Sequence, residues 1–159
     1  MLNQGIIAVD DHPLVLNALQ RVFNEHIGSH VLCFERAETA LAYVRSEPVK
    51  LIVTDLIMPG KDGFWLCTEA RKLQPAIKIC IFSQVTSLSH ISQAMKLKVE
   101  GYLLKTTPPI IVANALKTIL KGELFYSKEV TDAFFKASVN TEMPALTTRE
   151  SDVLMPRNL

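Results

Sequence analysis

The chain has 159 residues, of which 48% are hydrophobic and 21% charged. Its 17 Lys and Arg nearly cancel its 16 Asp and Glu, leaving +1, which argues against a standing basic face for nucleic acid or anionic membrane and against disorder. At roughly 150 residues per domain, that length is ample for one α/β domain and tight for two.

The three cysteines, Cys33, Cys67 and Cys80, are odd in number and show no CxxC spacing. They suggest neither a disulfide framework nor a zinc knuckle, and they read as buried free thiols in a reducing cytoplasm. The first residues lack a basic n-region, and no apolar run approaches the ~20 residues of a membrane span.

In chain order, Ile6 to Val9 is a short apolar run that stops at Asp10-Asp11 and reads as a buried strand. Pro13 suits the first turn of a helix, and Val15, Ala18, Leu19, Val22 and Phe23 recur at helical spacing, predicting a helix over 13–25. His30 to Phe34 reads as a second strand. Ala37, Ala40, Leu41 and Val44 define a second helix stopped by Pro48. Leu51 to Thr54 is a third strand ending at Asp55, followed by the loop chemistry of Met58-Pro59-Gly60-Lys61-Asp62-Gly63. A helix is predicted over 64–73. A fourth strand, Ile77 to Phe82, ends at Ser83, and a weaker helix follows over 87–97. Gly101 to Leu104 is the fifth strand, ending at Lys105. A fifth helix runs from Pro108-Pro109 to Leu120, with Gly122 as its stop.

Five strands alternating with five helices, the strands nearly all apolar, imply a parallel sheet covered on both faces. Right-handed crossovers make it doubly wound, with the flavodoxin-like strand order 2-1-3-4-5. Ligands of such sheets sit beyond the carboxyl ends of the strands, where Asp10-Asp11, Asp55, Ser83 and Lys105 are expected to converge. Three carboxylates cannot crowd together unaided, because like charges discourage joint ionisation. A hard divalent cation resolves this, since Mg²⁺ accepts one or two carboxylates, keeps several waters and bridges to phosphate oxygens.

Asp10-Asp11 after the first strand, Asp55 before Leu-Ile-Met-Pro-Gly-Lys-Asp-Gly, Ser83 after the fourth strand and Lys105 in Gly-Tyr-Leu-Leu-Lys together resemble a response-regulator receiver domain over about residues 5–122. The resemblance implies that Asp55 is the phosphoacceptor, forming an aspartyl phosphate. It implies that Asp11 and Asp55 ligate Mg²⁺ (or Mn²⁺) directly with the backbone carbonyl of Ile57, and that Asp10 acts mostly through a metal-bound water. Lys105 would pair with a phosphoryl oxygen and Ser83 would donate a hydroxyl hydrogen bond to it. Tyr102 would be the aromatic switch residue that turns inward as Ser83 moves. Gln84 is bulkier than the small residue often found there in this family, which bears on phosphodonor access or phosphoryl lifetime.

The segment Leu146-Thr147-Thr148-Arg149-Glu150-Ser151-Asp152-Val153-Leu154 resembles the opening of a LuxR-type helix-turn-helix domain, the layout of the NarL/FixJ class. Pro156 departs from that pattern, and no recognition helix follows in this chain. The implied organisation is a receiver over 1–124, a linker with a short helix over 125–145, and a truncated helix-turn-helix start over 146–159. The implied protein is a cytoplasmic two-component response regulator and not an enzyme beyond self-catalysed aspartyl phosphorylation and dephosphorylation. Its partners would be a sensor histidine kinase or phosphotransfer protein and a second copy of itself, with DNA reached only through the missing domain and no membrane contact. Three alternatives remain open at this point. A phosphorylation-independent dimerisation module of the same fold is hardest to exclude. An aspartate-nucleophile phosphatase wants its nucleophile on the first strand with an acid two residues on, where this chain has His12. A flavin module wants a phosphate loop in place of Asp10-Asp11-His12-Pro13. His12, His26, His30 and His90 show no metal spacing, and His12 is explained by its place at the start of a helix. Phe64 and Trp65 read as packing and surface.

Overall fold

Apolar runs of four to six residues, too short for helices and mostly rich in Ile and Val, form the four inner strands of this chain's sheet. The computed structural model describes residues 5–146. Its elements are β1 (Gly5–Val9), α1 (Pro13–Val22), a π-helical turn (Phe23–Ile27), β2 (Leu32–Phe34), α2 (Ala37–Ser46), β3 (Val49–Thr54), α3 (Gly63–Leu73), β4 (Lys78–Ser83), α4 (Leu88–Lys96), β5 (Gly101–Leu104), α5 (Pro109–Leu120), β6 (Phe125–Tyr126) and α6 (Lys128–Leu146). The strands form one parallel sheet in the order β2-β1-β3-β4-β5-β6. The expected order 2-1-3-4-5 is therefore present, but the expected count of strands is corrected from five to six among the described residues, while the sixth helix falls in the segment expected to hold a short one. β6 escapes periodicity because it has only two residues. It is held by register with Gly101 and Tyr102, by the Phe125 amide on the Glu100 carbonyl (2.9 Å), and by the Tyr126 hydroxyl on the Val99 carbonyl (2.8 Å).

Two compact units divide the described chain, residues 5–85 with 93–126, and residues 86–92 with 127–146. In the first unit, strand alternation sorts side chains to two faces. Ile6, Ala8, Leu51, Val53, Cys80, Phe82 and Leu103 pack with Leu16, Leu19 and Phe23 and with Val112, Leu116 and Ile119 of α5. The alternate residues Ile7, Ile52, Ile79, Ile81 and Tyr102 are buried on the opposite face. Both faces are dry, which is why the strand sequences lack polar alternation. Full burial of such Ile or Leu side chains stabilises by about 1.5–3 kcal/mol each.

Local signals end the helices as expected, with one exception. Pro13 and Pro109 open α1 and α5, and Gly122, at φ +94°, takes the left-handed position beyond α5 that a Cβ would strain. The exception is the first helix, expected over 13–25. α1 ends at Val22, and the π-helical turn carries the chain on, closed by the Gly28 amide on the Phe23 carbonyl at 2.8 Å. Phe23, the first residue of that turn, is fully buried.

In the second unit, α6 starts on the Ser127 carbonyl, which accepts from the Val130 and Thr131 amides, each at 3.0 Å. The helix reaches Leu146, through the segment expected as a polar linker. Val130 is buried, whereas Phe135 is exposed. The helix-turn-helix-like stretch from Thr147 onward lies outside the described residues. No described helix is long and apolar enough to cross a membrane.

All three cysteines are free, and one expectation about them is corrected. Cys67 and Cys80 are buried, but Cys33 on the outer strand β2 is only half-buried. Burial pushes the Cys67 thiol up to about 12 and raises that of Cys80 further. Iodoacetamide at about pH 8 is therefore expected to modify Cys33 first. Cys67 and Cys80 should remain unmodified by peptide mass spectrometry until denaturant is added.

Candidate functional site

Sheet register brings the polar strand ends together. Val9 pairs with Thr54, and the ladder continues one residue on, where the Asp55 amide donates to the Val9 carbonyl at 3.0 Å. Ser83 pairs with Leu104, and the Lys105 amide donates to the Ser83 carbonyl at 3.1 Å. Asp10 is tied to the other side through its amide on the Phe34 carbonyl at 3.1 Å. Asp10, Asp55 and Ser83 are all buried.

The Lys105 ammonium lies between two carboxylates, 2.8 Å from Asp10 Oδ2 and 2.8 Å from Asp55 Oδ2. Burial works against this ammonium, but hydrogen bonds to Asp10 and Asp55 and their charges outweigh burial and raise its pKa above the ordinary lysine value. The other Asp55 oxygen, Oδ1, accepts the Leu56 amide at 2.7 Å. Asp10 Oδ1 accepts the His12 amide at 2.9 Å and faces His12 Nδ1 at 3.1 Å. Asp11 Oδ1 is buried and accepts no hydrogen bond from the described residues, although His12 Nδ1 lies 3.2 Å away. Asp10, Asp11, His12 and Asp55 can each offer a ligand atom such that all four lie within 4.8 Å of one another.

A hard cation fits this donor set. Three carboxylates and one ammonium leave the cluster formally at about −2, and a buried carboxylate oxygen without a donor is costly unless a cation meets it. Above the cluster opens a cavity of about 650 Å³, bordered by Ile57, Met58, Ser83, Gln84 and Lys105. Ile57 is half exposed there. Gln84 reaches the cavity wall, as its position after Ser83 suggested.

The two residues singled out as a switch meet through Val85. Ser83 Oγ accepts the Val85 amide at 3.2 Å, and the Tyr102 hydroxyl donates to the Val85 carbonyl at 2.6 Å. Tyr102 is turned inward and fully buried.

Sequence reasoning missed three contributors. His12 was accounted for by its place before α1, yet its ring contacts both neighbouring carboxylates. Thr54 is fully buried and its hydroxyl donates to the Asp55 carbonyl at 2.8 Å. That same carbonyl oxygen would stand 2.2 Å from a Cβ on Gly63, so the first residue of α3 must be glycine for the helix to seat behind Asp55. A glycine just after a loop acid is the only sequence signal for it. The Asp62 carboxylate then caps α3, accepting the Trp65 amide at 2.9 Å.

The sequence profile of the response regulator receiver domain matches residues 6–121. The chain belongs to this family. Among curated relatives, the Fimbriae Z protein of Salmonella typhimurium is 28% identical over 157 residues, covering 94% of this chain and 73% of the relative. The transcriptional regulatory protein DesR of Bacillus subtilis is 27% identical over 155 residues, covering 94% and 72%. A solved LuxR-family two-component response regulator from Aurantimonas matches with a TM-score of 0.76 at 26% identity, covering 84% of this chain and 96% of that one. The isolated receiver domain of RcsB from Salmonella enterica serovar Typhimurium, solved with the phosphomimetic BeF₃⁻, matches with a TM-score of 0.75 at 26% identity, covering 82% and 98%. This receiver domain is therefore homologous to those of two-component response regulators.

Two measurements probe the receiver site. Burial, and secondarily the charge of Asp55, push the Tyr102 phenol up to about 12. An unfolded tyrosine ionises near about 10. The stabilisation from keeping Tyr102 neutral is thus whole below pH about 10 and is lost as pH rises through about 12. Ultraviolet difference titration should show a late tyrosine that disappears in Tyr102→Phe and ionises earlier in Asp55→Asn. Gly63→Ala is expected to destabilise by about 1–3 kcal/mol in urea unfolding, because backbone must shift to admit the methyl group.

Proposed function

We propose that this receiver domain accepts a phosphoryl group on Asp55 from a histidine kinase or phosphotransfer protein and converts it into a conformational signal. The observation that carries the reading is the pairing of buried Asp10 and Asp55 on one ammonium, with Asp11 beside them, at the carboxyl edge of the sheet. An Asp55 carboxylate oxygen would form the new bond to phosphorus as the bond to the donor breaks, yielding an aspartyl phosphate. Asp11, Asp55 and the Ile57 carbonyl would hold Mg²⁺ or Mn²⁺, with Asp10 acting through water. When bound, the metal ion supplies neutralisation of the phosphoryl oxygens.

Every other element of catalysis falls to the chain itself. Lys105 would pass from bridging the two carboxylates to pairing with a phosphoryl oxygen. Ser83 would release the Val85 amide and donate its hydroxyl to the phosphoryl group. The Leu56 amide already orients Asp55 by holding one oxygen. Catalysis by positioning and charge compensation is the general mode of phosphoryl transfer, so the domain promotes its own phosphorylation and dephosphorylation without being a turnover enzyme.

The output would follow from coupling at Val85. Drawing Ser83 toward the phosphoryl group loosens the Val85 amide, and the Tyr102 hydroxyl sits on the carbonyl of that same residue. To turn a 1:99 equilibrium into 99:1, phosphorylation must favour one state by roughly 5.5 kcal/mol. Several charge-assisted bonds from Lys105, Ser83 and backbone amides are of that order together.

The relatives point to transcription as the output. DesR and RcsB are named transcriptional regulatory proteins, and RcsB has been solved as dimers bound to DNA. By that likeness we assign this chain to a cytoplasmic regulator that acts through a LuxR-type domain and a second copy of itself.

The test is direct. With Mg²⁺ and acetyl phosphate, intact-protein mass spectrometry should show a gain of one phosphoryl group. Asp55→Asn should abolish the gain, and Lys105→Ala should reduce it by tenfold or more. No gain where a control receiver reacts would overturn the reading in favour of a phosphate-independent interaction module.

A further inference from the structure

α4 ends on a left-handed residue that is not glycine. The Lys98 amide donates to the Met95 carbonyl at 3.0 Å and the Val99 amide to the Ala94 carbonyl at 3.4 Å. These are the paired bonds of a helix stop that favours glycine at its left-handed position. Lys98 holds that position at φ +55°, and among the described residues it is the only non-glycine with a positive φ. A Cβ there crowds the backbone, so the turn carries strain.

One side chain opposes that strain. Arg71, in the last turn of α3, spreads its guanidinium around the corner between α4 and β5. Nη1 donates to the Leu97 carbonyl, Nη2 to the Lys98 carbonyl at 3.2 Å and to Glu100 Oε1 at 2.8 Å, and Nε to the Ile77 carbonyl at 3.4 Å. Glu100 Oε1 also accepts the Ile79 amide at 2.8 Å, which ties the corner to β4. The Arg71 and Glu100 side chains are only 21% and 23% exposed, so salt screens the pair little. Only a planar fork can serve carbonyl and carboxylate together in this way. The division of the chain into compact units falls inside α4, between Ser92 and Gln93, so the corner belongs with the sheet and the start of the helix does not.

We propose that Arg71 and Lys98 form a latch at the α4–β5 corner. The guanidinium holds the turn shut, the left-handed lysine biases it toward opening, and their balance sets how often the carboxyl end of α4 is released. α4 follows Val85 within three residues, so the latch controls the helix from the end away from Ser83. The latch goes beyond the phosphoacceptor reading and does not depend on it.

Hydrogen-exchange mass spectrometry of the full chain, with no phosphodonor present, reads the latch, because exchange of a bonded amide follows its local opening. Lys98→Gly should slow exchange over residues 97–100 by about threefold. Lys98→Ala, which removes the charge and keeps the strain, should change it by less than about twofold. Arg71→Gln and Arg71→Lys should each speed exchange there by about tenfold or more, with β1 and β3 unchanged. Adding Lys98→Gly to Arg71→Gln should bring part of the protection back. Glu100→Gln, which keeps an acceptor for the Ile79 amide but drops the ion pair, should speed exchange at the same residues by less, and it decides the matter if the Arg71 variants do not fold. Equal acceleration across the whole sheet would make Arg71 and Glu100 ordinary stabilising residues and overturn the latch. So would a Lys98→Gly chain whose corner exchanges no more slowly than that of Lys98→Ala.

Discussion

One ammonium shared by two buried carboxylates governs the carboxyl edge of the sheet. Lys105 stands 2.8 Å from both Asp10 and Asp55, and all three side chains are at least nine-tenths removed from solvent. Charges taken out of water cost several kcal/mol each unless they are paired and hydrogen-bonded. Asp10 and Asp55 come from neighbouring strands joined by the Asp55 amide on the Val9 carbonyl, and the Lys105 ammonium between them offsets their repulsion. β5 delivers that cation from across β4. The sheet register sets this arrangement, and the cluster's net negative charge gives it an appetite for a further positive charge.

The same edge also joins Ser83 to Tyr102. Ser83 and Tyr102 are on adjacent strands, and register and alternation put both side chains on the same face of the sheet. They communicate through the peptide groups of Val85, whose amide and carbonyl are claimed by one each. In the proposed function, a group that competes for the Ser83 hydroxyl would change one side of that residue while the buried phenol holds the other. Behind Asp55, the Thr54 hydroxyl holds the carbonyl and the missing Cβ of Gly63 leaves room for α3 to pack close to it. The carboxylate is thus aimed by its own backbone, a rigid support of the kind that phosphoryl transfer by positioning requires.

Much of this was legible in the sequence, for reasons that can be named. β1, β3 and β4 read as strands because burial on both faces leaves an unbroken apolar run that stops at the first polar residue. Those stopping points are the site, so Asp10, Asp11, Asp55, Ser83 and Lys105 announce themselves. Proline and glycine punctuation set the starts of α1 and α5 and the end of α5. What escaped was short, irregular or cooperative. β6 is two residues long and exists only because β5 offers an unpaired edge. The π-helical turn after α1 answers to the packing of Phe23, which periodicity alone cannot foresee. Cys33 sits in an apolar triplet, yet its strand is the outermost of the sheet, and edge position leaves it half open.

By itself, then, the sequence determined the order of elements and the identity of the charged residues that end them, because both are written in local patterns of one to ten residues. Only the tertiary structure decided which oxygen meets which cation. Lys105 joins Asp10 to Asp55, His12 turns back onto its two neighbours, and Val85 stands between Ser83 and Tyr102, since such contacts depend on strand register and backbone direction across as many as 95 positions of chain. Composition had shown a chain near neutrality. The fold revealed that its charges are far from evenly spread, with an acidic cluster drawn to one end of the sheet and a single buried lysine holding it together.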